Sequence, residues 1–163
     1  MNGKIIVTGN GWVGGGFESI GSVFQKLINE ATTEIMIGMY TISGAADFIF
    51  ECLEKALIRG VRVVILVNRF NKQDISAKNY ISRLRYSYLN LEVYSFESEN
   101  EKEDFHAKVT VVDRKRAIIG SSNMSFRGLT ANHELATYIE GIVADEAAKA
   151  LEKLIVNRVM QKI

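Results

Sequence analysis

Residues 105–123 read FHAKVTVVDRKRAIIGSSN, from Phe105 to Asn123. Val109, Thr110, Val111 and Val112 form a β-branched run, and Ala117, Ile118 and Ile119 form a second apolar run. Asp113, Arg114, Lys115 and Arg116 separate them, as the polar loop of a hairpin would. With a four-residue loop and Val112 facing Ala117, Lys108 falls opposite Ser121, and His106 opposite Asn123. Opposed positions on antiparallel strands share a face, and so do positions two apart on one strand. His106, Lys108, Ser121 and Asn123 are therefore expected on one side. An imidazole that attacks phosphorus, with an ammonium and a carboxamide donating to its oxygens, suits a phosphoryl group. A slip of one residue would divide the set between two faces.

The flanking sequence supplies the rest of an α/β domain. Lys4 to Thr8 reads as a short edge strand, and Gly9 to Gly16 as a loop in which Gly14, Gly15 and Gly16 are consecutive. No Gly-Lys-Ser/Thr follows, so this is not a P-loop. Ile20, Val23, Phe24, Leu27 and Ile28 recur at helical spacing within Ser19 to Ala31. Glu34 to Tyr40 (EIMIGMY) reads as a buried strand, and Ala45 to Arg59 as an amphipathic helix stopped by Gly60. Arg62 to Val67 is a continuous apolar strand of the kind found inside a covered parallel sheet. Ser76 to Leu89 is a third helix and Leu91 to Phe96 a strand. After the hairpin come a strand from Glu134 to Ile139 and a helix from Asp145 to Val159. The expected architecture is a mixed β-sheet sandwiched between helices.

The chain has 163 residues, 47% apolar and 24% charged, with no proline, so no Pro-rich linker divides it and residues 1–163 are expected to form a single domain. Cys52 is the only cysteine, which excludes an internal disulfide and a cysteine-based zinc site. On its helix it reads as a small core residue. MNGKIIVTGNGW lacks the apolar core of a signal peptide. No stretch approaches the ~18 apolar residues of a membrane span. A cytoplasmic protein with no membrane partner is expected.

His-x-Lys, four residues, Asp, six residues, Gly-Ser-x-Asn describes His106 through Asn123 without a gap. This resembles the signature of the phospholipase D superfamily. The helix into EIMIGMY, the Ala-Leu-Ile-Arg-Gly stretch from Ala56 to Gly60, and Asn132-His133-Glu134 extend the likeness over most of the chain. The resemblance implies a phospholipase D-like fold. It also implies an enzyme in which one His attacks phosphorus to give a phosphohistidine and a second His protonates the leaving alcohol. By the same resemblance no metal or other cofactor is needed, because Lys and Asn side chains stabilise the phosphoryl oxygens. Carried over residue by residue, His106, Lys108, Ser121 and Asn123 are catalytic, and Glu134 holds His106. Asp113 and Gly120 are structural.

Only one motif is present, so the implied site needs two chains. The superfamily's small single-motif members are dimeric nucleases, which makes a homodimeric endonuclease with a shared site the first expectation. The remaining histidine, His133, adjoins Glu134 and is a poor second imidazole. Charge adds an argument for a polyanion, DNA before RNA. Arg59, Arg62, Arg69, Lys72, Lys78, Arg83 and Arg85 face only Asp74 in their segment, with Tyr80, Tyr86 and Tyr88 interleaved. Arg127 adds a cation next to the motif. Glu97, Glu99, Glu101, Glu103 and Asp104 precede His106, and this acidic loop is expected to point away from substrate. Two alternatives stand beside the nuclease: a phospholipase or small-diester phosphodiesterase, and a nucleic-acid-binding module of a larger system.

Overall fold

The computed structural model describes residues 3–12, 15–44, 47–98 and 102–163. Gly14, Ala45, Ala46, Glu99 and Glu101 lie outside them. The described elements are β1 (Gly3–Thr8), β2 (Glu18–Ser19), α1 (Ile20–Asn29), β3 (Glu34–Met39), α2 (Asp47–Ile58), β4 (Arg62–Asn68) and α3 (Ile75–Ser87). They continue with β5 (Leu91–Phe96), β6 (Val109–Val112), β7 (Arg116–Gly120), β8 (Glu134–Glu140), α4 (Ile142–Val156) and β9 (Met160–Lys162).

Nine described strands form one sheet in the order β2-β1-β8-β7-β6-β3-β4-β5-β9. β3, β4 and β5 run parallel, and β6, β7 and β8 continue the sheet antiparallel. Alternation along the strands feeds two cores. Ile35, Ile37, Val63, Ile65 and Val67 pack with residues of α1, α2 and α3 on one face. Met36, Val64, Leu66 and Val111 pack with Ala144, Ala148 and Leu151 of α4 on the other. The sheet is thus sandwiched between helices, three against one.

Several expectations need correction. β1 is not an edge strand, because the two residues of β2 pair outside it. α4 ends at Val156, three residues early: Arg158 takes left-handed backbone (φ 58°) and the Val159 N–H reaches back to Leu154. This is a helix stop normally marked by Gly or Asn, and it frees Met160–Lys162 to pair with β5 as β9.

The hairpin register also differs. Lys115 N–H closes a turn onto Val112 C=O at 3.1 Å, with left-handed backbone at Asp113 (φ 53°) and Arg114 (φ 55°). The loop is three residues long, and Val112 faces Arg116 rather than Ala117. Lys108 consequently lies across from Gly120, whose N–H it accepts at 3.2 Å, not from Ser121.

Asp113 shows why this turn is held. Its carboxylate accepts from the backbone N–H of Thr32, Thr33 and Glu34 and from the hydroxyls of Thr32 and Thr33, at 2.8–3.2 Å. The hairpin tip is thereby fastened to the junction of α1 and β3. Burial opposes the charge, but the bonds from Glu34, Thr33 and Thr32 outweigh it and bring the carboxyl down to about 2.

Candidate active site

The site lies where the parallel and antiparallel halves of the sheet meet, beyond the C-terminal ends of β3 and β4. His106 and Lys108 precede β6, Ser121 and Asn123 follow β7, and Glu134 opens β8. All five leave their strands at this end, so the one-residue slip does not scatter them.

Lys108 Nζ lies 2.8 Å from His106 Nδ1 and 3.3 Å from Nε2, and donates to the His106 carbonyl at 2.9 Å. Burial draws the Lys108 ammonium below its ordinary pKa, and the nearby Glu134 charge partly restores it. The Tyr40 ring packs on the His106 imidazole with centroids 4.4 Å apart and planes at 43°. Asn123 Oδ1 accepts from the Thr41 N–H at 3.1 Å. With its oxygen engaged, its amide NH2 remains available as a donor.

Glu134 is held by two neighbours. The Ser121 hydroxyl donates to one carboxylate oxygen, and Asn132 Nδ2 donates to the other at 3.2 Å. Ser121 Oγ also accepts from the Leu135 N–H at 3.2 Å, closing the end of the β7–β8 ladder. The expected hydrogen bond from His106 to Glu134 is not among the contacts of the described residues. Ser121 and Asn132 occupy the carboxylate, while Lys108 occupies the imidazole. Gly120 is required sterically: a Cβ there would meet Ala136 Cβ at 2.4 Å and Leu135 O at 2.6 Å.

His133 is committed elsewhere. Its Nε2 accepts from the Gly11 N–H at 3.1 Å, and its ring meets Trp12 edge-on at 5.5 Å.

The basic segment is divided by the fold. Arg59 donates to Ile28 and Ala31 carbonyls at the far end of the sheet, beside the start of β4. Arg62 pairs there with Glu34 and Glu92. Arg83 makes a two-pronged bond to Glu54 on α2, at 3.0 Å on each side, and Arg85 donates to the Ile163 carbonyl. Lys78 Nζ turns back to the Asn71 carbonyl at 2.8 Å. Arg69 and Lys72 do lie at the site end. With Tyr40, Thr41, Asp74 and Asp104 they line a cleft of about 460 Å³. Lys72 and Arg127 have no side-chain partner among the described residues.

The acidic loop is also placed differently from expectation at its downstream end. Asp104 accepts from Asn68 Nδ2 at 3.0 Å and Arg69 Nε at 3.1 Å, and so stands on the cleft wall instead of pointing away. The Phe105 N–H donates to Asn68 Oδ1 at 2.9 Å, which seats the residue before His106. Hydrogen bonds from Asn68 and Arg69 keep Asp104 below the ordinary carboxylate range.

Read from the sequence, Tyr40, Thr41 and Asn68 have no site role, and Asn132 has only a place in the Asn132-His133-Glu134 likeness. Tyr40 closes an apolar run and reads there as one more core residue. Among the described residues no group of three or more His, Cys, Asp or Glu is arranged to hold a metal ion, and no helix is long and apolar enough to cross a membrane.

The family described as "Cardiolipin synthase, PLD-like domain" matches residues 24–157. The chain belongs to the phospholipase D superfamily of phosphodiester-acting enzymes. Among curated proteins it is similar to the DISARM protein DrmC of Bacillus paralicheniformis, 32% identical over 145 residues, covering 87% of this chain and 58% of that protein. It spans only 26–35% of the cardiolipin synthases it also matches. Two solved structures share the fold nearly end to end. NucT from Helicobacter pylori has a TM-score of 0.76 at 16% identity, covering 99% of this chain and 100% of that one. Nuc, a phospholipase D family member from Salmonella typhimurium, has a TM-score of 0.74 at 20% identity, covering 99% of each chain.

Proposed function

We propose that this chain is a metal-independent endonuclease, acting on DNA before RNA, in which two copies complete one active site. The observation that carries the reading is the single available imidazole. The sequence has two histidines, and His133 is bonded to Gly11 and packed on Trp12, which leaves His106 as the imidazole beside Lys108. Phosphohistidine chemistry needs two: His106 of one copy attacks phosphorus, and the partner's His106 gives its proton to the leaving oxygen. That second imidazole then takes a proton from water as the water displaces the first from phosphorus. Lys108 and the Asn123 amide supply donors for the phosphoryl oxygens, and Glu134 acts through its charge beside Lys108.

A second copy has a surface to meet. On the α4 side of the sheet, Ile5 (41% exposed) and Ile119 (40%) flank Thr137 across β1, β8 and β7, next to Leu135 (49%). α4 leaves this patch uncovered, and it adjoins Ser121 and Glu134. Arg69, Lys72 and Arg127 provide positive charge at the same end for a polyanion. The 58% coverage of DrmC supports a second reading in which this chain is a module of a larger protein, and the cardiolipin synthase likeness supports action on a lipid diester.

The test incubates the protein with single- and double-stranded DNA and RNA, and with phospholipid vesicles, in EDTA. Wild-type and His106→Ala chains are mixed in graded ratios. Cleavage of nucleic acid that falls as the square of the wild-type fraction is expected. A linear fall, a requirement for a divalent ion, or turnover of lipid alone would overturn the proposal.

A further inference from the structure

Tyr40 is where the two halves of the site are joined. Its ring lies against the His106 imidazole at 4.4 Å, and Lys108 Nζ stands 5.2 Å from the centre of the same ring. Its backbone is held on both sides. Gln73 Nε2 donates to the Tyr40 carbonyl at 3.1 Å and to the Asn68 carbonyl at 2.5 Å, while Gln73 Oε1 accepts from the Ile42 N–H at 2.8 Å. The next N–H, of Thr41, is bound to Asn123. One side-chain amide thus clamps the ends of β3 and β4 together under the aromatic ring.

His106 lacks comparable support of its own. It precedes β6, and its side chain is exposed. Among the described residues its ring contacts are Lys108 and Tyr40, with the Asp104 carboxylate in electrostatic reach. A phosphoryl group entering the site draws the Lys108 ammonium towards its oxygens, since a charged acceptor makes the stronger bond. The Tyr40 face is then the surface that keeps the imidazole aimed.

We propose that Tyr40 is a positioning residue, whose ring face orients the His106 imidazole for attack and holds Lys108 beside it. This rests on the phosphodiesterase reading. The aromatic face also favours the imidazolium that forms when a His106 accepts a proton. The hydroxyl plays no part, so phenylalanine should serve as well.

The experiment compares Tyr40→Phe, Tyr40→Leu and Tyr40→Met in the intact protein, with bis(p-nitrophenyl) phosphate as a minimal diester. Tyr40→Phe should retain kcat within about threefold. Tyr40→Leu should lose about tenfold to a hundredfold in kcat with KM little changed, the scale expected when a reacting group is misaimed. In the same variant the His106 ring resonances should broaden or split while the backbone amide spectrum stays that of the folded protein. Tyr40→Met gives the same readouts should Tyr40→Leu fail to fold. Wild-type kcat and unchanged His106 resonances in the aliphatic variant would overturn the proposal, as would equal damage in Tyr40→Phe. If the wild-type protein turns over no diester, the functional reading fails, and the His106 resonances still decide the role of Tyr40.

Discussion

Replacing Asp113 by asparagine should destabilise the protein strongly at neutral pH and hardly at all in strong acid. The carboxylate side chain is only 8% exposed and accepts from three backbone N–H groups and two hydroxyls. Asparagine keeps one acceptor oxygen and turns an NH2 group towards Thr32, so at least one buried donor loses its partner. Bonds to a charged acceptor are worth ~1.5–3 kcal/mol, and an orphaned donor costs ~1–3 kcal/mol. The same hydrogen bonds can be weighed through the pKa they depress. The carboxyl stands at about 2 when folded against 3.8 ordinarily, which corresponds to ~2.5 kcal/mol favouring the fold at neutral pH. A folded-state pKa below the unfolded one contributes stability that is complete above the unfolded value and disappears as pH falls through the folded one. The window here is from just above 3.8 down to about 2. The assay is urea unfolding of wild type and Asp113→Asn at one protein concentration, from pH 7 to pH 2.5. A difference of ~2–4 kcal/mol at pH 7 that shrinks steadily below pH 4 is expected. A difference under ~0.5 kcal/mol, the range of an ordinary surface substitution, or one that does not change with pH, would refute the argument.

Gly120→Ala should cost ~1–3 kcal/mol or more in denaturant unfolding, because the new methyl meets the backbone of β8 and pushes away the strand that carries Glu134. It should also lower diester turnover; wild-type stability would show that β7 and β8 can separate without penalty. For nucleic-acid binding, Lys72→Gln and Arg127→Gln should each reduce the log–log salt slope by ~0.7–0.9, measured by oligonucleotide anisotropy. Arg83→Gln should leave that slope unchanged, since its guanidinium is committed to Glu54. The reverse result would put the nucleic-acid path along α3.

What the sequence revealed and what it concealed divide along physical lines. Apolar periodicity located the helices, because burial on one helix face repeats every 3.6 residues, and continuous apolar runs located β3 and β4, which are buried on both faces. The hairpin was visible but its register was not. Asp113 and Arg114 adopt left-handed backbone without being glycine, so nothing in the residue types distinguished a three-residue loop from a four-residue one. The one-residue difference moves none of His106, Lys108, Ser121 and Asn123 away from the site end of the sheet, because all four flank β6 and β7 instead of lying within them. Charges were readable, but their partners were not. Arg83 finds Glu54 and Arg59 finds the end of α1 only after the chain has folded. The place of Tyr40 was concealed for a similar reason, since it is set by His106, a residue distant in sequence.

The sheet order has a consequence for the growing chain. β3, β4 and β5 pair with one another as they emerge, together with the helices between them. β1 precedes the other described strands, yet its long partner is β8, with Ile6 opposite Ala136, so that edge stays unpaired until residues 134–140 have been added. At ~5–20 residues per second that exposure lasts several seconds to about half a minute. Until residue 106 is added, the chain can hold Tyr40 and Thr41 but neither His106 nor Asn123. The platform is laid down before the reactive groups arrive, and a fragment released early carries no imidazole.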